Sequence, residues 1–156
     1  MKPVFQSVPE HKPEIGQIGD CYAACIASIL EVDLSCVPKP PADSELWAKT
    51  YQDWSAERGI YWFELMASKE WLQNLRPIAV DVYHVISGTS PRGPWLHAVV
   101  GLNGRIVHDP NPAGGGVIFD GNSSASFPVY LPHLSKRVAM NDLANYSRTR
   151  VWGGDL

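Results

Sequence analysis

The chain has 156 residues, 45% of them hydrophobic and 19% charged, with a formal net charge of −3. That length buries a core without staples, and a mildly acidic chain with no basic run offers nothing to follow a phosphate backbone. No apolar stretch approaches the roughly 20 residues needed to span a bilayer, and Met1 to Pro9 lacks a signal-peptide apolar run, so one cytoplasmic domain over residues 1–156 is expected.

Residues 1–19 read as extended and irregular, broken by Pro3, Pro9 and Pro13. The spacing then predicts a helix over about 21–31, apolar or small on nearly every face (Ala23, Ala24, Ile26, Ala27, Ile29, Leu30), with Asp20 as its N-cap. Pro38, Pro40 and Pro41 enforce a non-helical link. Ser44 caps a second amphipathic helix over about 44–58, stopped by Gly59, and a third short helix fits Ser68 to Leu75 ahead of Pro77. From Ile78 the period changes, and Ile78 to Ile86 is β-branched and strand-like. After a Gly/Pro/Ser loop over 87–94, Trp95–Gly101 and Ile106–Pro110 form two strands joined through Asn103-Gly104, a strong hairpin signal. A glycine-rich loop occupies 110–116; Val117–Phe119 and Phe127–Leu131 are short strand candidates, and the last twenty-odd residues carry little pattern. Helices first and an antiparallel sheet second describe an α+β domain with a cleft between the two.

Cys21 opens the first helix, where unpaired N–H groups and the positive end of the macrodipole favour a thiolate. Its expected pKa is therefore below that of a free thiol. The adjacent Asp20 opposes this unless its charge is spent on capping. A thiol nucleophile needs an imidazole to carry the proton, and five histidines compete for that role. With the turn at Asn103-Gly104, Leu102 faces Arg105; stepping outward puts His97 near position 110, beside Asp109, and His108 opposite Val99. Asp109 then holds the His97 ring in the useful tautomer. His84 has no acid placed to orient it, and His11 and His133 lie in irregular segments. For the oxyanion, the Cys21 N–H is one donor; Gln17, nearer in sequence, is preferred to Gln6 as the other.

Gly19-Asp20-Cys21-Tyr22 with Ala24 and Ile26-Ala27-Ser28 resembles the nucleophile helix of calpains and of bacteriocin-processing peptidase domains. His97-Ala98-Val99-Val100-Gly101 and Val107-His108-Asp109-Pro110 resemble the histidine and acid strands of the latter. With Ser87–Gly93 added, the stretch from about 17 to 116 is similar to small papain-like proteins of bacteriophage and bacterial genomes. The resemblance implies a papain-like fold, with an N-terminal nucleophile helix on a small antiparallel sheet. It also implies a Cys21–His97–Asp109 hydrolase acting on a peptide or protein, with no metal and no cofactor. In calpain- and papain-type enzymes the oxyanion glutamine stands six residues before the cysteine, where this chain has Ile15.

Other readings compete. Cys25 and Cys36 read as small buried hydrophobes, and a zinc site from the three cysteines lacks paired spacing. Asp109 before Pro110 also suits a plain turn. Gly114-Gly115-Gly116 is no phosphate cradle, since no GK[ST] follows. Trp95 is a candidate for the groove wall. The same triad serves deamidation or acyl transfer, and a binding module that kept the fold and lost turnover is the rival from another class. A redox protein using Cys21 and Cys25 is a third.

Overall fold

A computed structural model describes residues 1–74 and 81–131. The C-terminal stretch from residue 132, including His133, and the positions 75–80 where Leu75, Pro77 and the start of the predicted strand fall, lie outside the described residues.

The first helix, α1, spans Cys21–Leu30 and ends where Glu31 turns left-handed (φ 56°) and returns its N–H to Ala27 C=O. Residues Tyr22 to Ser28 are all buried, as the near-absence of a polar face requires. The second, α2 (Trp47–Ala56), is shorter than the expected 44–58: a 3-10 turn over Ser44–Leu46 leads into it, and a turn closing at Gly59 (φ 72°) follows it. The third, α3 (Lys69–Gln73), is capped by Ser68, whose Oγ accepts from Trp71 N–H at 3.1 Å.

Five strands form one antiparallel sheet: β1 (Ile60–Met66), β2 (Tyr83–Thr89), β3 (Leu96–Leu102), β4 (Arg105–His108) and β5 (Ser124–Tyr130), in the order β1-β5-β2-β3-β4. The domain is α+β. Strand alternation sorts its core onto two faces. Val85, Ala98 and Val100 meet α1 and α2 through Tyr22, Ile26 and Tyr51. Ile86, Val99 and Ala125 meet α3 through Leu72. No helix among the described residues is long and apolar enough to cross a membrane.

Several expectations need correction. Residues 87–89 continue β2 rather than opening a loop, and β1 was not expected at all. Residues 117–119 contribute only an isolated bridge, Thr89 to Ile118. Cys36 is exposed, not buried, while Cys25 is fully buried and all three cysteines are free. The hairpin keeps its turn, with Asn103 and Gly104 at φ 53° and 74°. A bulge between Val100 and Gly101 then shifts the pairing, so that His108 faces Val100 instead of Val99.

Among the described residues His84 is the one imidazole with no exposed surface. Its Nδ1–H donates to Val82 C=O at 3.0 Å, its ring stacks on Phe127, and its Nε2 has no hydrogen-bond partner among the described residues. It faces Gly101 across the ladder, where a Cβ would sit 2.4 Å from Nε2. Burial lowers the pKa of both His84 and His97 from 6.5. The folded state therefore holds these rings neutral while the unfolded chain takes up protons, and stability is complete above pH 6.5 and lost as pH falls below it. The melting temperature should drop between about pH 7.5 and about pH 5.5, and His84→Leu should reduce that drop. A His84→Leu protein as acid-sensitive as wild type would remove His84 from the effect.

Candidate active site

Cys21 is the first residue of α1 and half-buried. It lines a pocket of about 240 Å³, counted out to solvent, together with Gln6, His11, Trp95 and His97. Burial pushes the thiol up to about 11, against the pull of the N–H groups of Ala98, Tyr22 and Cys21 itself and with a further push from Asp20. The sequence-based expectation of a lowered thiol pKa is thus reversed. Desolvation of the sulfur outweighs the helix terminus. The Ala98 N–H places the sulfur against the residue that follows His97 on β3. No hydrogen bond joins Cys21 Sγ to the His97 ring among the described residues.

His97 is 3% exposed, and its Nε2 lies 2.8 Å from Asp109 Oδ1. A carboxylate accepts only, so Nε2 carries the proton and Nδ1 keeps the lone pair. Burial lowers the ring's pKa despite the neighbouring carboxylate, so the resting pair is neutral imidazole and charged Asp109.

Asp109 sits in a ring of donors. Its Oδ1 also accepts from Asn111 N–H at 2.9 Å, and its Oδ2 from Gly116 N–H at 2.9 Å. Burial raises its pKa, but the His97, Asn111 and Gly116 donors together outweigh this and leave it lowered. The glycine loop therefore has a task that composition did not reveal. Gly114, Gly115 and Gly116 all take positive φ, which lets the chain curl back so that the Gly116 N–H points at the acid. Arg92 Nη1 fastens the loop by donating to Gly114 C=O.

The two glutamines exchange places relative to expectation. Gln17 donates from Nε2 to Glu10 C=O at 3.2 Å and stays outside the pocket wall. Gln6 lines the pocket, nearly buried at 9% exposure, with Nε2 donating to Val8 C=O at 3.0 Å. Gln6 N–H donates to Pro110 C=O at 3.0 Å, which ties the segment to the loop bearing the acid. Sequence distance from Cys21 was a poor guide to which glutamine lines its pocket, because the Gln6–Pro110 contact closes a loop of some hundred residues.

Asp20 does not cap α1; its carboxylate turns instead to Ser7 and Val8. His11, set aside on sequence, accepts from Gly19 N–H through Nδ1 at 3.3 Å and lines the pocket. His108 donates from Nε2 to Val4 C=O at 2.9 Å. Trp95 lines the pocket. Among the described residues no group of three or more His, Cys, Asp or Glu side chains is arranged to hold a metal ion.

Comparison with protein-family models, with curated proteins and with solved structures returns no match.

Proposed function

We propose that this chain is a papain-like cysteine hydrolase that cleaves an amide, peptide or isopeptide bond of a peptide or protein through a Cys21 acyl-enzyme. The observation carrying this reading is one pocket holding a helix-terminal cysteine, a carboxylate-oriented histidine and a glutamine amide. His97 Nδ1 takes the thiol proton as Sγ attacks the carbonyl carbon. The Cys21 N–H and a Gln6 Nε2–H receive the charge that develops on oxygen. The tetrahedral adduct collapses, the C–N bond breaks, and His97 returns the proton to the leaving amine. Water then attacks the thioester with His97 as base and restores the thiol. An amine in place of water gives acyl transfer, and a side-chain amide as substrate gives deamidation, with the same residues.

The raised thiol pKa supports a neutral resting pair, with proton transfer coupled to attack rather than completed beforehand. A thiolate released from such a thiol is intrinsically more nucleophilic than a low-pKa one. The same observation favours a second reading, a papain-like binding module without turnover. The two separate on a probe reaction. On the hydrolase reading, p-nitrophenyl acetate acetylates Cys21 in a burst visible by intact mass, and His97→Ala slows iodoacetamide alkylation of Cys21 at neutral pH by at least about tenfold. No acetylation, and an alkylation rate indifferent to His97, would leave the binding module.

A further inference from the structure

The first eight residues cross the molecule as a strap fastened at several points. Lys2 N–H donates to Ser28 C=O at 3.2 Å, Val4 N–H to Ser28 Oγ at 2.9 Å, and Gln6 N–H to Pro110 C=O at 3.0 Å. The strap's last fastening is the most polar. Asp20, 7% exposed, accepts from Ser7 N–H at 3.1 Å and from the Ser7 hydroxyl at 2.6 Å through Oδ2, and from Val8 N–H at 2.8 Å through Oδ1. Val8, held in this way, accepts in turn from Gln6 Nε2 at 3.0 Å. A chain of bonds thus runs from the residue before the nucleophile to the side-chain amide in the pocket wall.

We infer that Asp20 is a positioning residue for Gln6, its carboxylate gripping Ser7 and Val8 so that the Gln6 amide is held at the Cys21 pocket. The oxyanion role of Gln6 rests on the hydrolase reading; the grip itself does not. Three donors converge on two oxygens, which only an ionised carboxylate accepts without conflict, because an Asn in its place turns an NH₂ toward an N–H or a hydroxyl. A carboxylate beside the sulfur also opposes thiolate formation. Asp20 therefore acts in two opposite senses on the site, and a test can separate them.

The test compares Asp20→Asn, Gln6→Ala, the double variant and Ser7→Ala with the full-length wild type. Backbone hydrogen exchange over residues 4–8 should become at least about tenfold faster in Asp20→Asn. Acetylation of Cys21 by p-nitrophenyl acetate, which builds an oxyanion, should slow by about tenfold in Asp20→Asn and by about 10²-fold in Gln6→Ala. The double variant should be no slower than Gln6→Ala alone, since the grip has no Gln6 left to position and the charge opposing the thiolate has gone. Iodoacetamide alkylation forms no oxyanion and should run no slower in Asp20→Asn than in wild type, because the opposing charge has gone. Ser7→Ala, which loses only the hydroxyl bond, should move exchange and acetylation the same way by less, and carries the test should Asp20→Asn fold poorly. Unchanged exchange, losses that multiply in the double variant, or alkylation that falls together with acetylation would each overturn the assignment. A wild type that is never acetylated sinks the hydrolase reading and the role of Gln6 with it. Unchanged exchange in Asp20→Asn sinks the grip alone.

Discussion

Cys21→Ala is expected to abolish acyl-enzyme formation and amide hydrolysis, at least about 10³-fold below wild type, while the fold is kept. The side chain shortens by one sulfur at a half-buried helix terminus, and the surrounding core of α1, from Tyr22 to Ser28, is untouched. His97→Ala removes the proposed proton carrier and should cost about 10²- to 10⁴-fold. Asp109→Ala should cost less in turnover than His97→Ala, because the acid orients the ring and transfers no proton. It should cost more in stability than an orienting role alone requires. Removing the carboxylate strands the part-buried Asn111 and Gly116 N–H groups as well as the His97 ring, and a fully buried donor left unpaired costs about 1–3 kcal/mol, an upper bound for each of these. Asp109→Asn separates the two effects. With Oδ1 toward His97 and Asn111, its NH₂ meets the Gly116 N–H, which loosens the glycine loop but keeps the ring's tautomer. The opposite orientation places NH₂ against two donors and is disfavoured. Asp109→Asn should therefore retain more turnover than Asp109→Ala, while its loop over 113–116 exchanges faster. Residual wild-type hydrolysis in Cys21→Ala would remove the sulfur from the mechanism. Wild-type turnover in Asp109→Ala would reduce the acid to a turn residue.

How much of this was legible in the sequence follows from the range of each interaction. The limits of α1 were readable from its solidly apolar run, although the cap expected of Asp20 is not made, and the β3–β4 turn because Asn-Gly accepts positive φ at both positions. The pairing of His97 with Asp109 was approached by counting along that hairpin. The bulge after Val100 altered the register, yet the two side chains still meet, since Asp109 lies just past the end of β4 and is drawn in by the loop's own N–H groups. β1 was missed because Ile60 to Met66 shows no clean alternation; Trp62 alone is buried, and the pairing that makes it a strand comes from β5, about sixty residues away. The choice between Gln6 and Gln17 and the duty of Asp20 depended on where the strap crosses the acid loop. Nothing local encodes that crossing. The direction of the thiol's shift was also beyond sequence, because it depends on how deeply the sulfur is desolvated once β3 packs over it.

The hairpin that carries the imidazole is also where a single methyl group should do most damage to the fold. Gly104 sits at φ 74°, a region that costs an alanine about 1–2 kcal/mol. A Cβ built there lies 1.8 Å from Leu72 C=O and 2.6 Å from its carbonyl carbon, which is backbone and cannot rotate away. Either the turn lifts or α3 moves, and Leu72, 1% exposed, loses its seat against Ile86 and Val99. Gly104→Ala should thus destabilise by at least about 3 kcal/mol, lowering the melting temperature by roughly 6–12 °C. Gly121→Ala is the matched control, since its added methyl meets nothing within 4 Å and its φ is ordinary. His97 and Asp109 lie at the far end of the same two strands from Asn103-Gly104. The fraction of Gly104→Ala that remains folded in the cold should therefore acetylate Cys21 at close to the wild-type rate. Equal melting temperatures for Gly104→Ala and Gly121→Ala would mean that the turn does not rest on α3. A folded Gly104→Ala protein that cannot be acetylated would mean that the strain reaches the His97–Asp109 end of the hairpin.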